Sequence, residues 1–195
     1  MASDLSLELG LPRAAHELEP AFLVRAKSGD HEAYASLVRP YERAAFRVAV
    51  AVTGRDVDAE EAMQNGFVKA YRSLHRFRPG AAFRPWLLRI VVNEAHNVVR
   101  DRRRHARLGA RAAEQRDAPC AAPDEAVLAQ ADLDTVLASL WRLSESDRLV
   151  LALRYFAELP DSEAALLAGT SKEAYRVRLV RARRRLQRIL EELDG

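Results

Sequence analysis

Apolar residues in this 195-residue chain fall three and four positions apart. Trp86, Leu87, Ile90 and Val91, followed by Val98, form one such series; Tyr175, Leu179, Ala182, Leu186 and Ile189 form another. That spacing gathers side chains on one face of an α-helix. No stretch alternates apolar with polar at period two for long enough to make a convincing strand. Gly and Pro number only eight each, which suits helices better than a sandwich or barrel. The fold class expected is all-α: two small helical domains joined by a flexible linker, the second containing a helix-turn-helix.

The punctuation between helices is local. A short helix is expected over 20–28. Asp30 can cap a longer one that runs to about Val52 and stops before Gly54, with Pro40 inside it as a kink or a break. A third helix is expected from about Val57 to Leu74. FRPG (77–80) reads as a loop, and a fourth helix starts near Pro85, a residue suited to a first turn. Residues 107–128 are rich in Ala, Pro and acids and have no strong period, which marks a linker. Beyond it, helices are expected near 129–140, 144–157 with Ser144 as its cap, 161–168 and 171–192. The domains expected are an N-terminal tail of unassigned role (1–19), a first helical domain (20–106), the linker (107–128) and a second helical domain (129–195).

Net charge is only +3, but it is unevenly placed. RDRRRHAR (100–107) holds five Arg and one Asp, whereas 114–134 holds six acids and one Arg. The plain reading is GC-rich codon usage, which inflates Ala and Arg (only Lys27, Lys69 and Lys172 are lysines), yet it does not explain the clustering. Basic blocks separated by an acidic stretch point to polyanion-facing surfaces. The lone cysteine, Cys120, allows no disulfide within the chain and no Cys/His metal set, and fits a reducing cytosol. MASDLSLELGLPRAAHELEP lacks the basic start and long apolar run of a signal peptide. No stretch reaches the roughly 18 apolar residues a membrane helix needs. The five histidines are scattered, and no Ser-His-Asp set, P-loop or metal motif occurs. The expectations are therefore a cytoplasmic protein, not an enzyme, with no cofactor, no metal and no membrane insertion.

DSEAALLAGTSKEAYRVRLVRARRRL (161–186) has the layout of a helix-turn-helix. A short helix carries Ala164, Ala165, Leu167 and Ala168, and Gly169 permits a tight turn, with positive φ open to it. Thr170 or Ser171 caps the second helix, and Thr170 with Glu173 fits a capping box. From Lys172 to Arg188 eight side chains are positive against one acid, Glu173. Tyr175, Leu179, Ala182, Leu186 and Ile189 share the face that packs on the domain. Arg176, Val177, Val180, Arg181 and Arg184 lie away from it. An outward face at the start of a second helix is what enters a major groove, where Arg reads guanine O6 and N7 and Val touches a thymine methyl. The later arginines suit phosphates. A solvated basic face on a bundle helix is the plainer reading, and the turn ahead of the helix favours the groove.

The segment RYFAELPDSEAALLAGTSKEAYRVRLVRARRRL (154–186) resembles the promoter-binding module of bacterial sigma factors of the sigma-70 family, extracytoplasmic-function (ECF) group. DVDAEEAMQNGFVKAYRSLHRF (56–77) and AFRPWLLRIVVNEAHNVVRDRRR (82–104) resemble that family's first module, in the same order and spacing. The resemblance covers about 20–192. It implies a protein that binds core RNA polymerase and directs it to promoter DNA, melting the DNA to start transcription. It also implies a monomer when free, and an anti-sigma protein that wedges between the two domains.

Carried over by position, Asp58, Glu60, Glu61 and Gln64 would face the polymerase clamp. Phe83, Arg84, Trp86, Arg89 and Asn93 would belong to the element that melts and reads the minus-10 sequence. Lys172, Arg176, Val177, Arg178, Val180 and Arg181 would belong to the minus-35 reader. Plainer accounts exist for several. Acids near a helix N-terminus are favoured by its dipole anyway. The spacing of Trp86 with Ile90 favours core over base stacking, and Asn93 suits a structural amide equally well. The loop 77–84 supplies two Phe and two Arg, a mix that single-stranded DNA binding uses. Three departures stand out: the family's QETF is QNGF here, with Gly66 weakening its helix by roughly 1 kcal/mol; Pro85 replaces a usual Thr or Ser; and TVKSR becomes AYRVR. The competing class is a helix-turn-helix regulator that never contacts polymerase; against it, the first module holds an acidic helix and an aromatic-basic loop where a dimer or sensor domain would be needed.

Overall fold

The computed structural model describes residues 13–78, 80–108 and 139–194, and no strand occurs among them. The linker expected at 107–128 lies outside the described residues apart from its first two positions, which are helical, and most of the helix expected near 129–140 lies outside them too.

The first group of helices comprises α1 (Arg13–Lys27), α2 (His31–Val38), α3 (Glu42–Thr53), α4 (Asp56–Ser73) and α5 (Phe83–Leu108). Helix α1 begins seven residues earlier than expected and runs through Pro20. Glu19 accepts a 2.6 Å bond from the Tyr41 hydroxyl, so part of the expected tail is helix anchored to the domain. Asp30 caps α2 by accepting from the Ala33 amide at 2.9 Å, while Arg25 holds the same carboxylate from α1. Pro40 breaks the expected long helix, with a 3-10 turn at Arg39–Tyr41 separating α2 from α3. Gly54 ends α3 at φ 77°, a conformation glycine adopts without strain.

Helices α4 and α5 cross closely because α4 turns small residues to α5. Ala59, Ala62, Gly66 and Ala70 are all buried at three- and four-residue spacing. A Cβ on Gly66 would lie 2.9 Å from Val91 Cγ2 and 3.1 Å from Val91 Cα. The sequence reading treats Gly66 as a weakness in α4; packed against α5, it is what lets the two backbones approach.

The second group holds α6 (Glu145–Tyr155), α7 (Asp161–Leu167) and α8 (Lys172–Asp194). Ser144 caps α6 as expected, accepting from the Asp147 amide at 3.2 Å. The two groups share one apolar core, in which Val48, Ala49 and Val52 of α3 continue into Leu149, Val150 and Leu153 of α6. Arg148 bridges them through Nε, which donates to Ala51 O at 3.1 Å; within its own group its Nη1 donates to Leu143 O at 2.7 Å and the guanidinium lies 4.9 Å from the Trp141 ring centre, which fixes its aim. Arg47 of α3 stacks at the same distance, 4.9 Å, on the Phe156 ring.

Candidate nucleic-acid interface

Helices α7 and α8 meet at the turn the sequence announces. Gly169 sits at φ 63°. Ser171 fills the cap of α8, accepting from the Ala174 amide at 3.2 Å; the expected Thr170–Glu173 box is not formed, because α8 starts at Lys172 and so puts Ser171 in the cap position. Tyr175 locks the base of α8. Its ring is fully buried and its hydroxyl donates to Val150 O at 3.1 Å. Burial pushes this phenol up to about 12.

With Tyr175 and Ala182 at 0 % exposure, the rest of α8 is oriented. Lys172, Arg176, Val177, Arg178, Val180 and Arg181 are all exposed. Val177 and Val180 are about half exposed, an arrangement that burial energetics alone does not favour at 0.8 kcal/mol per methylene. Arg176 Nε donates to Asp161 Oδ2 at 2.7 Å, across the turn. Further along, Arg185 is bonded to the buried Asp147 and so ties α8 to α6. Arg184 and Arg188 remain exposed.

The residues expected at the minus-10 element divide three ways. Phe83 is 1 % exposed and lies in an aromatic cluster, its ring 5.8 Å from Tyr41, 5.7 Å from Phe77 and 5.5 Å from Trp86. Phe77 is buried as well, so both phenylalanines of the loop point into the core instead of offering rings to bases. Trp86 is half-buried against them. Arg84 is turned to the second helix group: Nη2 donates to Phe156 O at 3.3 Å and Nη1 to Glu158 at 3.5 Å. Its Nε is buried without a partner. Glu158 reaches it from a left-handed backbone at φ 48°, a strained conformation for a non-glycine. Arg89 and Asn93 are exposed on α5. Asn93 is therefore not a buried structural amide.

On α4, Asp58 departs from expectation. It is 9 % exposed and bonded to Arg102 of α5, with Arg55 at 3.9 Å, so the basic block at the end of α5 folds back onto it. Glu60, Glu61 and Gln64 are exposed. They share one helical stripe with Val57 and Val68, which are 70 % and 50 % exposed. That stripe of acid and bare valine escaped the sequence reading, although the spacing of 57, 61, 64 and 68 on a helix announced it.

A helix-turn-helix that offers arginine and valine to solvent, beside a first helical group with an unburied acidic-apolar stripe, has the layout of a DNA-binding protein with a protein-docking surface. Residues 37–105 match the family model of sigma-70 region 2. The chain is 31% identical over 177 residues to the RNA polymerase sigma factor NccH of Alcaligenes xylosoxydans xylosoxydans, covering 89% of this chain and 95% of that one. It is 29% identical over 187 residues to the ECF RNA polymerase sigma factor SigM of Mycobacterium tuberculosis, covering 92% and 88%. The solved structure of CnrH in complex with the cytosolic domain of CnrY superposes with a TM-score of 0.63 at 27% identity, over 89% of this chain and 97% of that chain. The chain belongs to the sigma-70 family of RNA polymerase sigma factors, in its ECF group. It is a sigma factor, and the reading as a regulator that does not bind polymerase falls away. Sigma factors are regulatory proteins and not enzymes. No helix among the described residues is long and apolar enough to cross a membrane.

Proposed function

We propose that this chain docks on core RNA polymerase through the exposed stripe of α4, with Glu60, Glu61 and Gln64 as its polar contacts and Val57 and Val68 beside them. Asp58 supports the stripe through Arg102. The minus-10 element is carried by α5, where Arg89 and Asn93 are accessible, Phe83 and Trp86 set the loop from beneath, and Arg84 becomes available once Phe156 releases it. The minus-35 element is read by Arg176, Val177, Val180 and Arg181, with Lys172 and Arg178 on phosphates. In domain terms, 20–106 binds polymerase and the minus-10 DNA, 129–195 binds the minus-35 DNA, and 107–128 joins them.

The observation that carries this reading is the stripe itself: Val57 and Val68 left bare at either end of Glu60, Glu61 and Gln64, on a helix whose opposite face is packed. Exposed apolar patches rimmed by polar groups mark protein interfaces. The free chain is a cytoplasmic monomer held in check by an anti-sigma protein. CnrH, which shares the fold, was solved with the cytosolic domain of a second protein, CnrY. The test is transcription in vitro with core polymerase and a genomic promoter library. Discrete start sites that appear only with this chain support the reading; no transcript, with no co-purification of core enzyme, overturns it.

A further inference from the structure

Resting on the assignment of α8 as the minus-35 reader, we infer that Asp161 is a positioning residue for base reading: its carboxylate fixes the Arg176 guanidinium through Nε and leaves both Nη groups for a base. Asp161 is the first residue of α7, and Arg176 lies in the second turn of α8. The 2.7 Å bond spans the turn of the motif. An arginine whose Nε is occupied still presents its Nη pair, the fork that matches guanine O6 and N7. Arg176 remains 59% exposed, and its Nη atoms have no partner among the described residues. A free arginine side chain samples many rotamers and must be ordered on binding. The carboxylate restricts it beforehand.

The same carboxylate has a second neighbour, Arg154 of α6, whose Nη1 lies 3.7 Å from Oδ1. Asp161 is thereby held from one side while it holds Arg176 from the other. The Arg176 guanidinium keeps the Asp161 carboxyl below the usual carboxylate range, so it stays ionised across the neutral range. Nothing in the local sequence pattern announces the pair, since fifteen residues and a turn separate the two side chains.

A carboxylate near DNA also repels phosphate, and that makes the proposal separable from a general effect. Removing the charge raises affinity for every duplex by one common factor; losing a positioned arginine changes the ratio between duplexes. The test assembles the full-length chain with core polymerase and selects duplexes from a pool randomised over the minus-35 element. Binding is then titrated on the selected duplex and on each of its single-base-pair variants, for wild type, Asp161→Asn, Asp161→Glu, Arg176→Ala and the Asp161→Asn/Arg176→Ala double variant. Arg176→Ala is expected to erase discrimination at one base pair. Asp161→Asn is expected to lower discrimination at that same base pair about five- to tenfold and at no other. The double variant should discriminate no worse than Arg176→Ala, and Asp161→Glu should recover part of the loss. Unchanged ratios in Asp161→Asn, or losses that add to those of Arg176→Ala, overturn the positioning role while the reader assignment stands. If Arg176→Ala itself leaves every ratio intact, the reader assignment fails and the proposal with it.

Discussion

Gly66 and Val91 meet where α4 crosses α5, with room for a hydrogen on Gly66 but not for a methyl group. Alanine at 66 gains up to about 1 kcal/mol in helix propensity. It also forces the helices apart against a backbone atom, and overpacking of a tight core costs about 1–3 kcal/mol. Gly66→Ala is therefore expected to lower stability on the order of 1 kcal/mol in urea titrations. Val91→Ala, which removes the Cγ2 contact but also buried methyls, should be destabilising by itself, and the double variant should lose less than the sum of the two single losses. A more stable single variant would show that the crossing yields freely.

Neighbouring acids on α4 separate structural from docking roles. Glu61→Arg changes an exposed side chain and should leave the melting curve within about 0.5 kcal/mol of wild type. It should also abolish co-purification with core polymerase. Asp58→Ala leaves Arg102 without its carboxylate partner and should destabilise by about 1–3 kcal/mol. Circular dichroism melts and pull-downs on both variants check the split.

Tyr175 gives the C-terminal helices an alkaline limit. Its phenol is raised to about 12 when folded, against an ordinary value of 10, so folding favours the protonated form. That contribution is present in full below about pH 10 and is lost progressively as pH rises toward about 12. Tyr175→Phe should remove this part of the alkaline stability loss, at a cost of about 1 kcal/mol at neutral pH for the missing bond to Val150. Tyr34 and Tyr41 are raised by burial too, so the pH dependence should shrink and not vanish.

Arg148 is the test of closure between the helix groups. Arg148→Ala strands Ala51 O across the seam, and within its own group it strands Leu143 O and removes the stacking on Trp141; about 1 kcal/mol of the contact between groups should go with the Ala51 bond. Small-angle scattering of the free variant is expected to give a larger radius of gyration than wild type. An unchanged radius would mean that the shared apolar core suffices.

Local signals were legible, and distant partners were not. Asp30, Gly54, Ser144 and Gly169 each announce a cap or turn within four residues, and the structure uses all four. The buried face of α8 follows from spacing alone. By contrast, Asp58 looked like a surface acid because Arg102 stands 44 positions away, and Arg84 looked like a free DNA contact because Phe156 stands 72 away. Phe83 read as an accessible aromatic because nothing in the loop reveals the ring of Tyr41 above it. Gly66 was readable in principle: Ala59, Ala62 and Ala70 already spell a stripe of small residues, and the glycine continues it.

Two of the bonds that close the two helix groups end on carbonyl oxygens: Ala51 for Arg148 and Phe156 for Arg84. Carbonyls neither titrate nor carry net charge. The carboxylate contacts across the seam, Glu158 with Arg84 and Glu145 with Arg103, are partly exposed and fade as salt screens them. DNA binding falls steeply with salt, because each neutralised phosphate releases a counterion. Ionic strength thus acts unequally on two competing equilibria: it weakens the grip on a promoter far more than the clasp between helix groups. Raised potassium concentration is therefore expected to favour the clasped free chain over the promoter-bound one.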